Sequence, residues 1–191
     1  MARVEGEHIR APVENAEEEV SRRAKKRQTL FSPFVRILQM LPFLGLRPLG
    51  GAPVDKAELL EFLGRNKLGV LSTIGSNGEP QSALVGIAVT PEFEIIFDTV
   101  QKSRKFDNLR RDPRAAFVIG WEGETTVQFE GAAKQISSTE LGHYHETYFR
   151  AFPDGPARLK WEGITYYVVA PKWIRYSDFD KSPPVIEEFL F

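Results

Sequence analysis

The 191-residue chain contains no cysteine. This absence excludes disulfides, thiolate nucleophiles, thiolate zinc sites and iron–sulfur clusters, and it suits a reducing compartment. Histidine is scarce as well, with only His8, His143 and His145, so a metal site would need mostly carboxylate ligands. We therefore expect an interior held by packing alone, no metal and a cytoplasmic location.

The chain also lacks an excess of charge of either sign. Its 25 Lys and Arg residues face 26 Asp and Glu residues, which leaves a net charge of −1. Such a protein has no broad positive field to draw it onto nucleic acid, so we expect no nucleic-acid partner. Neither a P-loop nor a GxGxxG motif is present, and no motif supports Ser-His-Asp catalysis.

Long apolar runs are missing too. Residues 30–46 form an apolar stretch that Pro33, Arg36 and Pro42 interrupt. A membrane-spanning helix needs roughly 20 mostly apolar residues, and the acidic leader before this stretch does not fit a signal peptide. Two interpretations stay open for the stretch. It packs on the body or on a second subunit, which we favour because a folded neighbour is available, or it makes a peripheral membrane contact.

The sequence Gly50-Gly51-Ala52-Pro53 is typical of a linker. It divides the chain into an N-terminal extension, residues 1–52, and a compact domain, residues 53–191. Three helices are predicted: from an N-cap at Asp55 to Gly64, from an N-cap at Ser103 to Pro113, and from a capping box at 137–140 towards Phe149. Strands are predicted at 69–74, 81–90, 94–99, 115–119, 125–130, 164–169 and 173–179. Six or seven short strands with few helices favour a mainly β fold, an antiparallel barrel.

Charge at the start of the second predicted helix is unusual. A strand ends at Asp98 and Thr99, and the helix after Ser103 begins with Arg104 and Lys105. The helix dipole disfavours cations at this end, whereas a phosphate there would accept hydrogen bonds from the first-turn amides, the hydroxyls and both cations. The alternative is a solvated basic helix face, formed by these cations together with Lys102, Arg110 and Arg111. The charges alone leave both interpretations open.

Several short segments around this helix occur in a characteristic order. They are Gly69-Val70-Leu71-Ser72-Thr73, Asn77-Gly78-Glu79-Pro80, Phe97-Asp98-Thr99, Ser103-Arg104-Lys105, Asn108-Leu109, Asp112-Pro113 and Gly131-Ala132-Ala133. From residue 68 to about residue 179 the chain resembles the pyridoxamine 5'-phosphate oxidase-like family of FMN-binding split barrels. The resemblance implies a homodimer of six-stranded antiparallel Greek-key barrels, with FMN in clefts between the two subunits.

The resemblance also implies which residues hold the cofactor. Arg104 and Lys105 correspond to the phosphate clamp, with Ser103 and Thr99 beside them. The flavin would be lined by Asp98 and by the backbone of Ser82, Ala83, Leu84 and Val85.

Two further positions follow from the same resemblance. A polar side chain against the ring corresponds to Thr126, although Gln128 on the same strand face could take this role. The segment Lys160-Trp161-Glu162-Gly163 looks like the family's Trp-Gly-Gly segment, whose tryptophan approaches the cofactor from the partner subunit. The alternative for Trp161 is a core anchor.

The sequence departs from true pyridoxamine oxidases near its C-terminal strand. Those enzymes hold the substrate phosphate with an Arg-Leu-His element, where this chain has Lys172-Trp173-Ile174-Arg175-Tyr176-Ser177. Oxidation of vitamin B6 is therefore not expected, and Arg175 is expected to have a surface or salt-bridge role. His143 and His145 would point about 200° apart on a helix, so they cannot chelate one ion.

The function expected from these observations is an FMN-dependent oxidoreductase acting on an unidentified small molecule or with a nicotinamide donor. FMN would supply the redox chemistry, so no catalytic base is assigned. Three alternatives stay open: a non-catalytic module that stores or senses flavin, one that does so with haem, and a reductase that uses the deazaflavin F420.

Overall fold

The structure is a computed structural model, and it describes residues 53–191. The predicted extension 1–52, with its apolar stretch 30–46, lies outside the described residues. The helices are α1 (Lys56–Arg65), α2 (Arg104–Arg111), α3 (Leu141–Ala151) and α4 (Gly155–Arg158). The strands are β1 (Leu68–Ile74), β2 (Pro80–Gly86), β3 (Ala88–Val89), β4 (Ile95–Val100), β5 (Arg114–Ile119), β6 (Thr125–Gln135), β7 (Ile164–Asp178) and β8 (Val185–Leu190).

All strands belong to one antiparallel sheet that curls on itself. Its order is β2-β1-β5-β6-β7-β4-β3, and β8 pairs with β7 beside this path. The two end strands, β2 and β3, are separated in sequence by Ile87 alone. The ends of the sheet are therefore close together, and β2 contacts β4 across the opening. The prediction of a mainly β split barrel with flanking helices is confirmed.

One predicted strand, residues 81–90, is two strands in the structure. The backbone N–H of Ile87 leaves the ladder and donates to the Lys67 carbonyl at 2.9 Å. Before this point the chain pairs with β1, and after it the chain pairs with β4. The apolar run continues through the break, so hydrophobicity gave no sign of the change of partner.

At β7 the prediction is wrong in the opposite way, because the two strands predicted at 164–169 and 173–179 are one continuous strand. Pro171 lies inside this strand, opposite Gly131, where the register with β6 shifts between Glu130 and Gly131. A bulge accommodates a proline because the ladder needs no N–H donor at that residue. A side chain at position 131 would collide with the carbonyl oxygen of Ala170, so only glycine allows this close approach.

The helices begin largely as predicted. Asp55 caps α1 through a capping box with Glu58, and Ser103 caps α2 by accepting from the Phe106 N–H. Of the capping box predicted at 137–140 only one bond forms, from the Ser137 N–H to Glu140 Oε2 at 3.3 Å, because the Glu140 N–H donates to the Ser137 carbonyl at 3.1 Å and closes a turn. The third helix starts only at Leu141. None of the helices in residues 53–191 is long and apolar enough to cross a membrane.

Two groups of buried apolar side chains lie on opposite faces of the sheet. The larger group fills the inside of the curl and includes Leu71, Phe97, Phe117, Phe129 and Ile174. The smaller group lies under α3, on the outer face of β4 and β7, and its members are Ala88, Ile96, Ile136, Tyr148, Tyr166 and Val168. Because β4 packs on both sides, successive residues of this strand face two different environments.

The close approach at Gly131 gives a stability prediction. We expect Gly131→Ala to lower the free energy of unfolding by about 1–3 kcal/mol, since the added methyl group must displace the Ala170 backbone. Gly142→Ala is the matched control, because nothing lies near a side chain at this helical position and alanine favours the helix by about 0.5–1 kcal/mol. Urea unfolding measures the free energy of unfolding of both variants. If this energy changed in the same direction in both, the side chain at position 131 would not be colliding with the Ala170 backbone.

Candidate functional site

The end of β4 is joined to the start of α2 by two hydroxyl groups. Thr99 Oγ1 and Ser103 Oγ lie 2.8 Å apart, and Ser103 Oγ accepts from the Phe106 N–H at 3.3 Å. Thr99 is buried and Ser103 is half-buried. The predicted strand end and the helix cap therefore form one fixed corner, which we call the cradle (residues 99–105).

Two cations of the cradle, Arg104 and Lys105, form no ion pair in the part of the chain that the structure describes. Arg104 is exposed and Lys105 is half-buried. Their backbone amides belong to the first helical turn, where intrahelical acceptors are missing. Two amides, two cations and the one hydroxyl hydrogen that the Thr99–Ser103 bond leaves free form a donor set that fits a phosphate group.

A buried asparagine fixes α2 against the β1–β2 hairpin. Asn108 Nδ2 donates to Thr73 Oγ1 at 3.0 Å and to Gln81 Oε1 at 2.9 Å. Arg111 in turn donates to Asn108 Oδ1 at 3.1 Å and to the Ile74 carbonyl at 3.2 Å. The helix that begins the cradle is thus held beside β2. Asn108 belongs to one of the segments that carry the family resemblance, but no sequence pattern predicts this positioning role.

Strand β2 carries the four residues predicted to line a flavin. It pairs with β1 alone among the described strands, so its other edge leaves backbone groups unpaired. Ser82 Oγ lies 3.0 Å from Ser72 Oγ, the Leu84 side chain is 59% exposed, and Val85 belongs to the core. Ala83 is half-buried. This open edge faces the gap that the curled sheet leaves between β2 and β4.

Asp98 lies beside the cradle in sequence but on the other face of β4. Its carboxylate accepts a hydrogen bond from Arg158 at 2.8 Å, and the two side chains are only 14% and 16% exposed. Burial by itself lowers the pKa of Arg158, but the Asp98 carboxylate holds it above the usual value. Burial also raises the pKa of Tyr148, next to this pair. No sequence motif pointed to Arg158, because 60 residues separate the two partners.

Thr126 and Gln128 lie on the outer face of β6, on the same side as predicted. Gln128 pairs across the sheet with Val118 and Arg175. Thr99 of the cradle pairs with Thr165 of β7, whereas Gln128 pairs with Arg175, ten residues further along the same strand, and this offset corresponds to roughly 30 Å along an extended strand. Within one subunit the structure therefore does not bring these two residues to the cradle.

Trp161 lies on the turn formed by residues 159–163. Its side chain is 57% exposed, so it is not a core anchor. The turn adjoins the cradle, because the Gln101 N–H donates to the Gly163 carbonyl at 2.8 Å. Lys102 and Glu162 add an exposed ion pair at 3.2 Å. The tryptophan therefore lies close to the cradle's own chain segment.

A shallow groove of about 240 Å³ lies on the outer face of the sheet beyond the Ser72–Ser82 pair. It has charged side chains at its rim, and its lining includes Ser72, Pro80, Arg114, Glu130 and Lys172. No group of three or more His, Cys, Asp or Glu side chains suited to a metal ion occurs in residues 53–191.

The Asn108 network gives a second prediction. We expect Asn108→Ala to lower the free energy of unfolding by about 1–3 kcal/mol, since it leaves buried Thr73 and Gln81 groups without their donor. Glu162→Gln serves as control, because the exposed pair with Lys102 is expected to contribute at most about 1 kcal/mol. Chemical denaturation measures both changes. A smaller effect for Asn108→Ala than for the control would show that α2 is held in another way.

Known proteins resemble this chain over most of its described residues. Residues 55–177 match the family model described as Pyridoxamine 5'-phosphate oxidase. The pyridoxine/pyridoxamine 5'-phosphate oxidase of Thermosynechococcus vestitus is 35% identical over 101 residues, which cover 52% of this chain and 46% of that protein. The chain spans about half the length of the curated relatives it matches.

Solved structures share the fold at low sequence identity. A haem-binding protein from Mycobacterium smegmatis matches with a TM-score of 0.60 and 16% identity, covering 73% of this chain and 60% of that chain. A pyridoxamine 5'-phosphate oxidase-related, FMN-binding protein from Nostoc punctiforme matches with a TM-score of 0.57 and 14% identity, covering 71% and 96%. Since the family model spans residues 55–177, well over half of the sequence, the chain belongs to the pyridoxamine 5'-phosphate oxidase family.

Proposed function

We propose that this chain binds FMN through its phosphate at the cradle and acts as an FMN-dependent oxidoreductase. The observation that carries the proposal is the donor set at residues 99–105, in which Arg104 and Lys105 directly follow a hydroxyl pair at a helix start. A phosphate dianion would turn the unfavourable placement of these cations into a favourable one, because it interacts with both the dipole and the side chains.

Strand β2 is the proposed support for the flavin ring. The exposed Leu84 offers apolar contact, and the unpaired backbone edge offers hydrogen-bonding groups to a planar heterocycle. The bond between Gln81 and Asn108 keeps this strand at a fixed place relative to the cradle. When bound, FMN supplies the electron-transfer chemistry at its ring, and the protein supplies binding and orientation. No side chain is assigned as an acid or a base.

The proposed partner is a second copy of this chain. A strip of apolar side chains crosses the outer face of the sheet, where Leu84 and Val118 both pair with Val70. Leu84 is 59% and Val118 is 41% exposed, although both lie in the middle of paired strands. A symmetric contact through this strip would cover it, and would bring Gln128, next to Val118, towards the partner's cofactor.

The proposed substrate is a small molecule other than a vitamin B6 phosphate, or a nicotinamide donor. The activity of the curated relatives is not transferred, because the chain spans about half of their length. Arg175, at the place of their substrate-binding element, lies 3.9 Å from Glu188 in an ion pair on the sheet surface. This agrees with the salt-bridge role expected from the sequence.

The first experiment identifies the cofactor and tests the cradle. We expect the purified chain to bind FMN, and Arg104→Ala combined with Lys105→Ala to raise the Kd about 100-fold or more, since each charged hydrogen bond contributes roughly 1.5–3 kcal/mol. Arg110→Ala with Lys67→Ala removes the same charge from two exposed positions away from the cradle and should leave the Kd nearly unchanged. Equal Kd values for both double variants would place the phosphate elsewhere.

The same preparation separates the alternatives. Mass spectrometry of the released cofactor distinguishes FMN from F420, and a haem absorption band would favour the haem-binding alternative that the Mycobacterium smegmatis structure raises. Bleaching of the flavin by NAD(P)H without oxygen supports an oxidoreductase. A flavin that no nicotinamide reduces supports storage or sensing.

The apolar strip gives a prediction for assembly. We expect Val118→Lys to shift the chain from dimer to monomer and to weaken FMN binding, because a charge in the middle of the strip cannot be buried against a second copy. Ile186→Lys on β8 is the control, since it adds the same charge at an equally exposed apolar residue outside the strip. Light scattering measures the mass, and an unchanged dimer in Val118→Lys would exclude this face as the interface.

A further inference from the structure

We propose that Asp98 is a positioning residue, whose buried ion pair with Arg158 holds the turn 159–163 and its Trp161 beside the cradle. The inference rests on the proposed cofactor site. It differs from the expectation that Asp98 touches the flavin itself, because it assigns the effect of this carboxylate to the segment that it anchors.

The side chain of Asp98 faces away from the cradle. On β4 the Thr99 hydroxyl contacts Ser103, and its neighbour Asp98 points to the opposite side of the strand. There Asp98 Oδ2 accepts a hydrogen bond from Arg158 Nη1 at 2.8 Å, and both side chains are largely buried. A carboxylate committed to a buried cation is not available to a ligand on the other face.

Arg158 is itself held firmly in place. Its guanidinium lies 5.8 Å from the centre of the Tyr148 ring and 5.4 Å from the centre of the Phe152 ring. A second guanidinium nitrogen, Nη2, donates to Oδ1 of the exposed Asp154 at 3.1 Å. The Asp154 bond lies within the α4 segment, so the Asp98 carboxylate and the two aromatic rings fix the end of α4 against the rest of the domain.

Backbone hydrogen bonds connect Arg158 to Trp161. The Trp161 N–H donates to the Arg158 carbonyl at 2.9 Å, and the Ile164 N–H donates to the Trp161 carbonyl at 3.2 Å. Beyond the turn, the Gln101 N–H donates to the Gly163 carbonyl at 2.8 Å. The turn is therefore attached to residues 98–101 at both ends, by an ion pair at one end and by a backbone bond at the other.

Loss of the Asp98 side chain and loss of the Arg158 side chain should have the same consequence. Removing one member leaves the other buried without its counter-charge, and the favourable response is for α4 and the following turn to move towards solvent. Trp161 would then leave the neighbourhood of the cradle, while Thr99, Ser103 and the cations stay in place. The cofactor that Trp161 contacts, which the family resemblance places across the subunit interface, would lose this contact and keep its phosphate site.

A double-mutant cycle separates this role from direct contact. We expect Asp98→Asn and Arg158→Gln each to raise the FMN Kd about tenfold, and the double variant to raise it no further, because both substitutions break the same pair. A direct contact of Asp98 with the cofactor would instead make Asp98→Asn weaken binding again in the Arg158→Gln background.

Limited trypsin digestion without FMN supplies a readout of the turn itself. We expect cleavage after Lys160 to become about tenfold faster in Asp98→Asn and Arg158→Gln, since an unanchored turn opens more often. Asp154→Asn is the matched control: it also removes a carboxylate from Arg158, but an exposed one that does not belong to β4. This control should leave both the Kd and the cleavage rate unchanged.

The outcomes are distinct. Unchanged Kd and cleavage in Asp98→Asn, with FMN bound by the wild type, would overturn the positioning role. If the wild type binds no FMN, the proposed function fails, and the cleavage rates still test the anchor. If Asp98→Asn does not fold, the FMN affinities of Arg158→Lys and Arg158→Gln are compared instead, because lysine keeps the positive charge opposite Asp98. Lysine should then retain affinity that glutamine loses, and equal losses would contradict the proposal.

Discussion

Closure of the sheet depends on one covalent constraint, the single residue Ile87 between the two end strands. Consecutive Cα atoms are 3.8 Å apart, so the ends of β2 and β3 lie within about 8 Å of each other although they occupy opposite ends of the sheet order. The sheet must therefore curl until β2 meets β4. This places the open edge of β2 beside the helix that follows β4, and the candidate cofactor site consists of these two elements.

The two faces of β4 have opposite electrostatic arrangements. On one face the cradle presents Arg104 and Lys105 without an acidic partner in the described part of the chain, which suits an external anion. On the other face Asp98 and Arg158 neutralise each other under α3 and α4. A strand that alternates side chains can carry a ligand site and its structural anchor in two adjacent residues, Thr99 and Asp98.

Local signals predicted much of the fold and part of the site. The caps at Asp55 and Ser103 were predictable because a polar side chain and the amides it bonds are three residues apart. The start of α3 was not, because the bonds between Ser137 and Glu140 satisfy a turn as well as a helix. The division at Ile87 and the continuity of β7 through Pro171 depend on which strand lies alongside, and local sequence does not contain this information.

By itself, the sequence determined the composition of the cradle, since Thr99, Ser103, Arg104 and Lys105 are close along the chain and their order requires no distant contact. The tertiary structure decided everything that joins distant residues: the bonds of Asn108 to the hairpin, the pair of Asp98 with Arg158, and the separation of Gln128 from the cradle. The physical reason is that a hydrogen bond or ion pair forms only after the loop between its partners has closed, and the energy that closes such loops comes from burial across the whole sheet.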